Sequence, residues 1–267
     1  VGCAMPEGPQ GLNIARIATL LAGLPDSTPA YTLNRFCSSG LQSVSNAADL
    51  IKSGSSDLVI AAGVESMSSV PMTGFKPSMN PKILLDENIS IAYGMGLTAE
   101  KVVQKYGISR EAQDQFAFES HQKAIKANNN GLFENEIVPI ETFDDSYSIK
   151  SNEYIKNTNL VSKDEGPRKD TSLEVLAKLR TVFAQDGSVT AGNSSQMSDA
   201  AAAVLVASEE AVEKYNLTPK AEFMGFSVAG VPAEIMGIGP VKAVPKVLGA
   251  LNLSLDDIGW IELNEAF

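Results

Sequence analysis

The chain has 267 residues, 44% hydrophobic and 20% charged, an ordinary balance for a globular protein and enough for one large domain or two smaller ones. A formal net charge of −11 excludes the basic surface that nonspecific nucleic-acid binding needs, and no apolar run reaches the roughly 20 residues of a membrane-spanning helix. Two cysteines, Cys3 and Cys37, make no disulfide framework and predict an intracellular reducing compartment.

Residues 12–22 read as a helix ended by Gly23 and Pro25, and residues 30–36 as a strand. After Cys37, the residues Leu41, Val44, Ala47, Ala48 and Ile51 repeat at helical spacing until Gly54. Residues 57–64 read as a strand whose Leu-Val-Ile-Ala-Ala run after Asp57 is continuously apolar, which predicts burial on both faces. This alternation is that of an α/β layer. From Ser66 the texture turns to Met, Pro, Gly and Ser. Helices follow over 98–106 and 110–128, the second capped by Ser109. Residues 129–172 read as polar and irregular, with the pair Asp144-Asp145 and a charged run from Lys163 to Asp170. The α/β pattern resumes with a strand at 200–207, a helix at 208–215 and a strand at 222–229, before a last helix opened by Pro240. Residues 66–186 are therefore read as a loop domain inserted into an α/β layer.

Cys37 carries the chemistry of this pattern. It stands where a strand gives way to a helix, beside free amide groups and the positive end of a helix dipole. Those features favour a thiolate and can hold an oxyanion. Packing as a small buried hydrophobe is the ordinary alternative for a free cysteine, and it is the expectation for Cys3. His121 is the only histidine. It falls inside the 110–128 helix, where general-base reach to Cys37 is not expected. Gly237-Ile238-Gly239-Pro240 lacks the third glycine of a dinucleotide loop, and Pro240 removes an amide. It reads as a tight turn into a helix.

Asn34-Arg35-Phe36-Cys37-Ser38-Ser39-Gly40-Leu41 resembles the nucleophile motif of the thiolases. The resemblance continues through Ala61–Ser68, Tyr93–Glu100 and Gly192–Asp199, and reaches Asn264-Glu265-Ala266-Phe267. The blocks stand in family order across nearly the whole chain. The resemblance implies an α/β, thiolase-like fold: a layered α/β/α half-domain with an inserted loop domain. In that frame 1–65 and 187–235 form the N-terminal half-domain, 66–186 the loop domain, and 236–267 the start of the C-terminal half-domain. The rest of that second half is expected to be missing, with both ends of the chain read as cuts.

What the resemblance implies for function is thiolytic cleavage of 3-ketoacyl-CoA through an acyl-Cys37 thioester. Arg35-Phe36 is more like the degradative members, which serve fatty-acid β-oxidation, than the biosynthetic ones. Asn264 matches the asparagine that holds a water at the thioester oxygen. Met95 and Phe267 match acyl-pocket positions. Apart from the resemblance, Arg168, Lys169 and Ser227 are weak candidates for the phosphate and pantetheine contacts, the first two reading more simply as a solvated charge cluster. Glu265 and Glu262 could pair as acid and base or simply face solvent. Coenzyme A and acyl-CoA enter as substrates, with no tightly bound cofactor and no metal, and a homodimer or dimer of dimers is expected. The family's Gly-His-Pro and Cys-x-Gly motifs are absent from these residues, so the 267 residues alone are expected to be inactive. A non-catalytic acyl-CoA-binding protein of this fold, a biosynthetic acetoacetyl-CoA thiolase and a ketoacyl synthase are the alternatives.

Overall fold

The computed structural model describes the backbone of all 267 residues and every side chain except Asp144, Asp145 and Tyr147. The predicted acidic pair therefore lies outside the described side chains. In chain order the elements are α1 (Ile14–Leu21), α2 (Ser39–Lys52), β1 (Leu58–Glu65), α3 (Met95–Tyr106), α4 (Arg110–Asn129), β2 (Ile140–Ser148), β3 (Glu153–Val161), α5 (Leu173–Ala177), β4 (Ala200–Ala207), α6 (Glu209–Lys214) and α7 (Gly239–Leu251). They divide into two units, residues 1–92 with 197–263, and residues 93–196 with 264–267. Residues 66–92, placed by their composition in the inserted domain, lie with the first unit. Hydrogen bonds hold them there: Asp199 accepts from the Ser66 and Ser68 hydroxyls and the Ser68 amide, and Glu7 from the Phe75 amide.

In the first unit β1 pairs antiparallel with β4, from Leu58 opposite Ala207 to Glu65 opposite Ala200. The other edge of β1 meets Val1–Cys3 in parallel, with the Gly2 amide donating to the Ala62 carbonyl at 2.7 Å and the Val64 amide to the Gly2 carbonyl at 3.0 Å. Residues 30–36, expected as a strand, join this arrangement through one parallel bridge, Leu33 to Gly2, and form no ladder, though Val1 also donates to the Tyr31 carbonyl and Asn34 to the Ala4 carbonyl. They pair over too few residues to form a ladder, because the chain turns away at Asn34.

Helix α2 packs on β1 with its smallest residues. Ser39, Ser43, Ala47 and Ala48 are buried, whereas Leu41, expected on the packed face, is 61% exposed. The reason is the closeness of the contact. A Cβ on Gly63 would lie 3.4 Å from the Gly40 Cα, and one on Gly2 would lie 2.4 Å from the Ser39 carbonyl carbon. Ser43 satisfies its hydroxyl by donating to the Gly40 and Ala62 carbonyls at 2.7 and 3.0 Å. β1, apolar up to its last residue Glu65, is covered by α2 on one face only. Ala61 is buried but Ile60 is 50% exposed, so burial on both faces does not hold.

Residues 222–229, expected as a strand, belong to no strand or helix. They run against other elements without a ladder: Gly225 approaches Leu251 of α7, and Lys246 donates to the Val228 carbonyl at 3.1 Å.

The second unit is joined by polar side chains. Arg110 donates to Asp114 at 2.9 Å and to the Leu176 and Leu179 carbonyls, tying α4 to α5. Ser109 caps α4 as expected, its hydroxyl accepting the Ala112 amide at 3.1 Å. The segment read as irregular contains the β2–β3 hairpin, nine residues a side, from Ile140 opposite Val161 to Ser148 opposite Glu153. Every residue of β3 is exposed. A strand with no buried face carries no hydrophobic alternation, which is the signal that sequence reading depends on.

Gly2→Ala is expected to destabilise the chain by about 1–3 kcal/mol, since the added methyl meets backbone rather than a movable side chain. Gly40→Ala, whose Cβ would have only ordinary contact at 4.0 Å, is expected to be neutral or to stabilise by up to about 1 kcal/mol through helix propensity. Urea-unfolding midpoints of the two variants test the contrast, and equal losses would refute the steric reading.

Candidate active site

Cys37 is delivered to the start of α2 by a constrained turn. Phe36, just before it, has φ of 44°, a left-handed conformation that is an outlier for so bulky a residue and costs on the order of 1–3 kcal/mol. Both ends of Phe36 are clamped. Its amide donates to Asn34 Oδ1 at 2.7 Å, and its carbonyl accepts from the Ser39 amide at 3.0 Å and the Ser39 hydroxyl at 2.6 Å. The same hydroxyl accepts from the Arg35 amide at 2.8 Å. Hydrogen bonds of this kind contribute a net ~0.5–1.5 kcal/mol each, so together they can offset the strain.

Cys37 is exposed, and Ser38, the residue capping α2, makes no side-chain cap hydrogen bond. The first amides of the helix are therefore not claimed by a capping side chain. Of those amides, Ser39's is taken by the Phe36 carbonyl at 3.0 Å, and the Cys37 thiol stands exposed beside the helix start. Cys3 is its opposite: 1% exposed, with Sγ 3.9 Å from Glu65 Oε1. Burial, with the Glu65 charge adding to it, pushes the Cys3 thiol above its ordinary pKa. Glu65 accepts the Ala4 amide at 2.7 Å, the Met5 amide at 3.2 Å and Gln10 Nε2 at 2.8 Å. In the same unit Ser227 is half-buried in the 222–229 segment. The Gly237–Pro240 stretch is the end of a 3₁₀ turn (Ala233–Ile238) leading into α7, as its composition predicts.

In the second unit Met95 is the first residue of α3 and half-buried. Its neighbour Gly96 admits the Phe183 ring, which meets Phe267 edge-on at 6.3 Å between centroids. Phe183 thereby links the Met95 and Phe267 segments. Asn264 is exposed, and the strip that carries it is anchored by the Ser195 amide donating to the Ala266 carbonyl at 2.9 Å. Glu265 accepts from Ser120 at 2.8 Å, whereas Glu262, in the first unit, accepts from Trp260 Nε1 at 2.6 Å. Each glutamate thus has its own partner.

His121 Nδ1 accepts the Arg168 amide at 3.1 Å, a bond that braces a loop. The Arg168 guanidinium is paired with Asp170 at 3.0 Å, which weakens it as a phosphate ligand. Lys169 borders a cleft of about 410 Å³ with Asn128, Phe133, Glu134, Lys163 and Asp164.

Sequence reading did not single out Asn34, Glu65, Asn193 or Asp199. Asn193 is 5% exposed, accepts the Thr190 amide at 2.7 Å, and donates to Asp114 Oδ1 at 3.0 Å and the Ser188 carbonyl at 3.1 Å. The available signal was position. Asn34 stands two residues before a left-handed one, where asparagine side chains commonly close a turn, and Glu65 ends an otherwise apolar strand.

Brief iodoacetamide treatment is expected to label Cys37 well before Cys3, because the thiolate reacts and Cys3 is both enclosed and harder to ionise. Peptide mass spectrometry reads the two sites. Equal labelling would contradict the described environments.

Two family models match the chain: the thiolase N-terminal domain over residues 1–210 and the thiolase C-terminal domain over residues 217–267. A 3-ketoacyl-CoA thiolase of Bacillus subtilis is 50% identical over the whole chain, which spans 68% of that protein. Among solved structures, the dimeric peroxisomal thiolase of Saccharomyces cerevisiae aligns at a TM-score of 0.86 and 40% identity, over 100% of this chain and 66% of that one. The Bacillus anthracis acetyl-CoA acetyltransferase aligns at 0.85 and 40%, over 100% and 68%. With its α/β architecture and an exposed cysteine at the start of a helix, the chain belongs to the thiolase family.

Proposed function

We propose that this protein is an acetyl-CoA C-acyltransferase acting on 3-ketoacyl-CoA. The observation that carries the reading is the exposed Cys37 at the uncapped start of α2, immediately after the left-handed Phe36. The Cys37 thiolate attacks the ketone carbon, and the bond between the α and β carbons breaks. The electron pair leaves on the α carbon, which takes a proton to become acetyl-CoA, and the shortened acyl group stays on Sγ as a thioester. Free CoA then attacks that thioester and releases Cys37. Two steps through a covalent intermediate replace one difficult one.

Asn264 is proposed to hold the water that supports the thioester oxygen. Met95 and Phe267 are proposed to contact the acyl end, and Ser227 the pantetheine arm. The division into an N-terminal half-domain, an inserted loop domain and the start of a second half-domain is part of the same proposal, as is a degradative role with β-oxidation as its setting. Homodimer assembly is proposed in view of the relative described as dimeric. CoA and acyl-CoA are the proposed partners, and a reducing intracellular compartment the proposed location. Among the described residues no helix is long and apolar enough to cross a membrane.

Cys37→Ser in the complete protein is expected to abolish the acyl adduct formed with a 3-ketoacyl-CoA, read by intact mass. An adduct retained on another residue would end the proposal. His121→Ala is expected to leave turnover within a few-fold of the parent, since that imidazole braces the Arg168 loop. Loss of a general base costs on the order of a hundredfold or more, and a fall of that size in a folded variant would make His121 part of the machinery.

A further inference from the structure

We propose that Asn34 is the positioning residue for Cys37, fastening the nucleophile's turn to the segment that Glu65 clamps. The proposal rests on Cys37 being the nucleophile. Asn34 uses both halves of its amide. Oδ1 accepts the Phe36 amide at 2.7 Å, and Nδ2 donates to the Ala4 carbonyl at 2.9 Å. Ala4 is in turn fixed, because its amide donates to Glu65 Oε2 at 2.7 Å, while Oε1 of the same carboxylate takes the Met5 amide and Gln10 Nε2. Gln10 closes the set through Oε1, which accepts the Ser66 amide.

The path from β1 to Cys37 is therefore Glu65, Ala4, Asn34, Phe36, with a direct hydrogen bond at each step and all of it within one unit. The contact at Phe36 matters most. A left-handed phenylalanine relaxes toward negative φ unless its surroundings prevent it, and the residue is 63% exposed, so core packing does not hold it. The amide side is held by Asn34 and the carbonyl side by Ser39. Without Asn34, Phe36 can turn, and Cys37 is carried away from the first amides of α2. Asparagine fits this task because it offers an acceptor and a donor from one planar group. Aspartate keeps the acceptor for Phe36 and loses the donor for Ala4; alanine loses both.

The test compares Asn34→Ala and Asn34→Asp in the complete protein by crystal structure, thermal midpoint and thiolysis kinetics. For Asn34→Ala the expected result is Phe36 outside the left-handed region, Cys37 displaced, and kcat lower by about tenfold to a hundredfold, the scale of an ångström's misplacement. KM should stay within about twofold, and the thermal midpoint should be nearly unchanged. Asn34→Asp should keep Phe36 left-handed and recover part of kcat. Phe36 and Cys37 unmoved in Asn34→Ala, or kcat and KM changing only in step with lost stability, would overturn the proposal. Turnover retained in Cys37→Ser would instead sink the assignment of the nucleophile, and the crystal structures would still decide whether Asn34 sets the turn.

Discussion

The approach of α2 to β1 through glycine is the constraint on which the first unit depends. Gly2 and Gly63 let backbone lie close to the start of α2, at separations that a methyl group on Gly2 could not enter. Everything on that face of α2 has to be small, which is why serine and alanine are buried there while Leu41 faces outward. The hydroxyl of Ser43 tolerates burial because two carbonyls accept from it. A helix seated this closely cannot slide or tilt without clashing, so its first turn holds a fixed position over the sheet. The strained turn before Cys37 has a rigid footing on one side.

Polar joints do elsewhere what apolar packing does in most domains. Glu65 gathers amides from residues 4 and 5, Glu100 accepts the Ser188 and Val189 amides at 2.9 Å, and Asn193 bridges Asp114 to the Thr190 turn. Among the described side chains no buried nitrogen or oxygen lacks a partner. Such networks rigidify a structure when complete and weaken it when one member is lost. They also give a physical meaning to the family blocks. Ser66 and Ser68 of one block meet Asp199 of another, and Asn193 organises the turn that precedes it. Several signature residues are thus joints of the scaffold rather than participants in chemistry.

Much of this was legible in the sequence because it is local. The helices at 14–21, 95–106, 110–129 and 239–251, the Ser109 cap, the strands at 58–65 and 200–207, and the placing of Cys37 before α2 all follow from periodicity and turn chemistry. What was not legible depends on partners far along the chain. The β2–β3 hairpin hides because neither side of β3 is buried, and residues 222–229 look like a strand because an apolar stretch says nothing about whether a ladder exists. Asn34 and Glu65 were passed over for a different reason. Their importance lies in amides of residues 4, 5 and 36, and the identity of a backbone donor leaves no mark on a sequence.

The contrast between the two cysteines carries into redox chemistry. Of the two described thiols, an oxidant meets Cys37, because Cys3 is enclosed and its ionisation is disfavoured. Peroxide acting on the Cys37 thiolate gives a sulfenic acid and water, and the buried Cys3 is in no position to resolve that product as a disulfide. Rescue then depends on a thiol other than Cys3; without one, further oxidation to the sulfinic acid is irreversible. Cys3 therefore adds no protection against oxidative inactivation, and the fraction of Cys37 still alkylable is a direct gauge of how much protein has escaped damage.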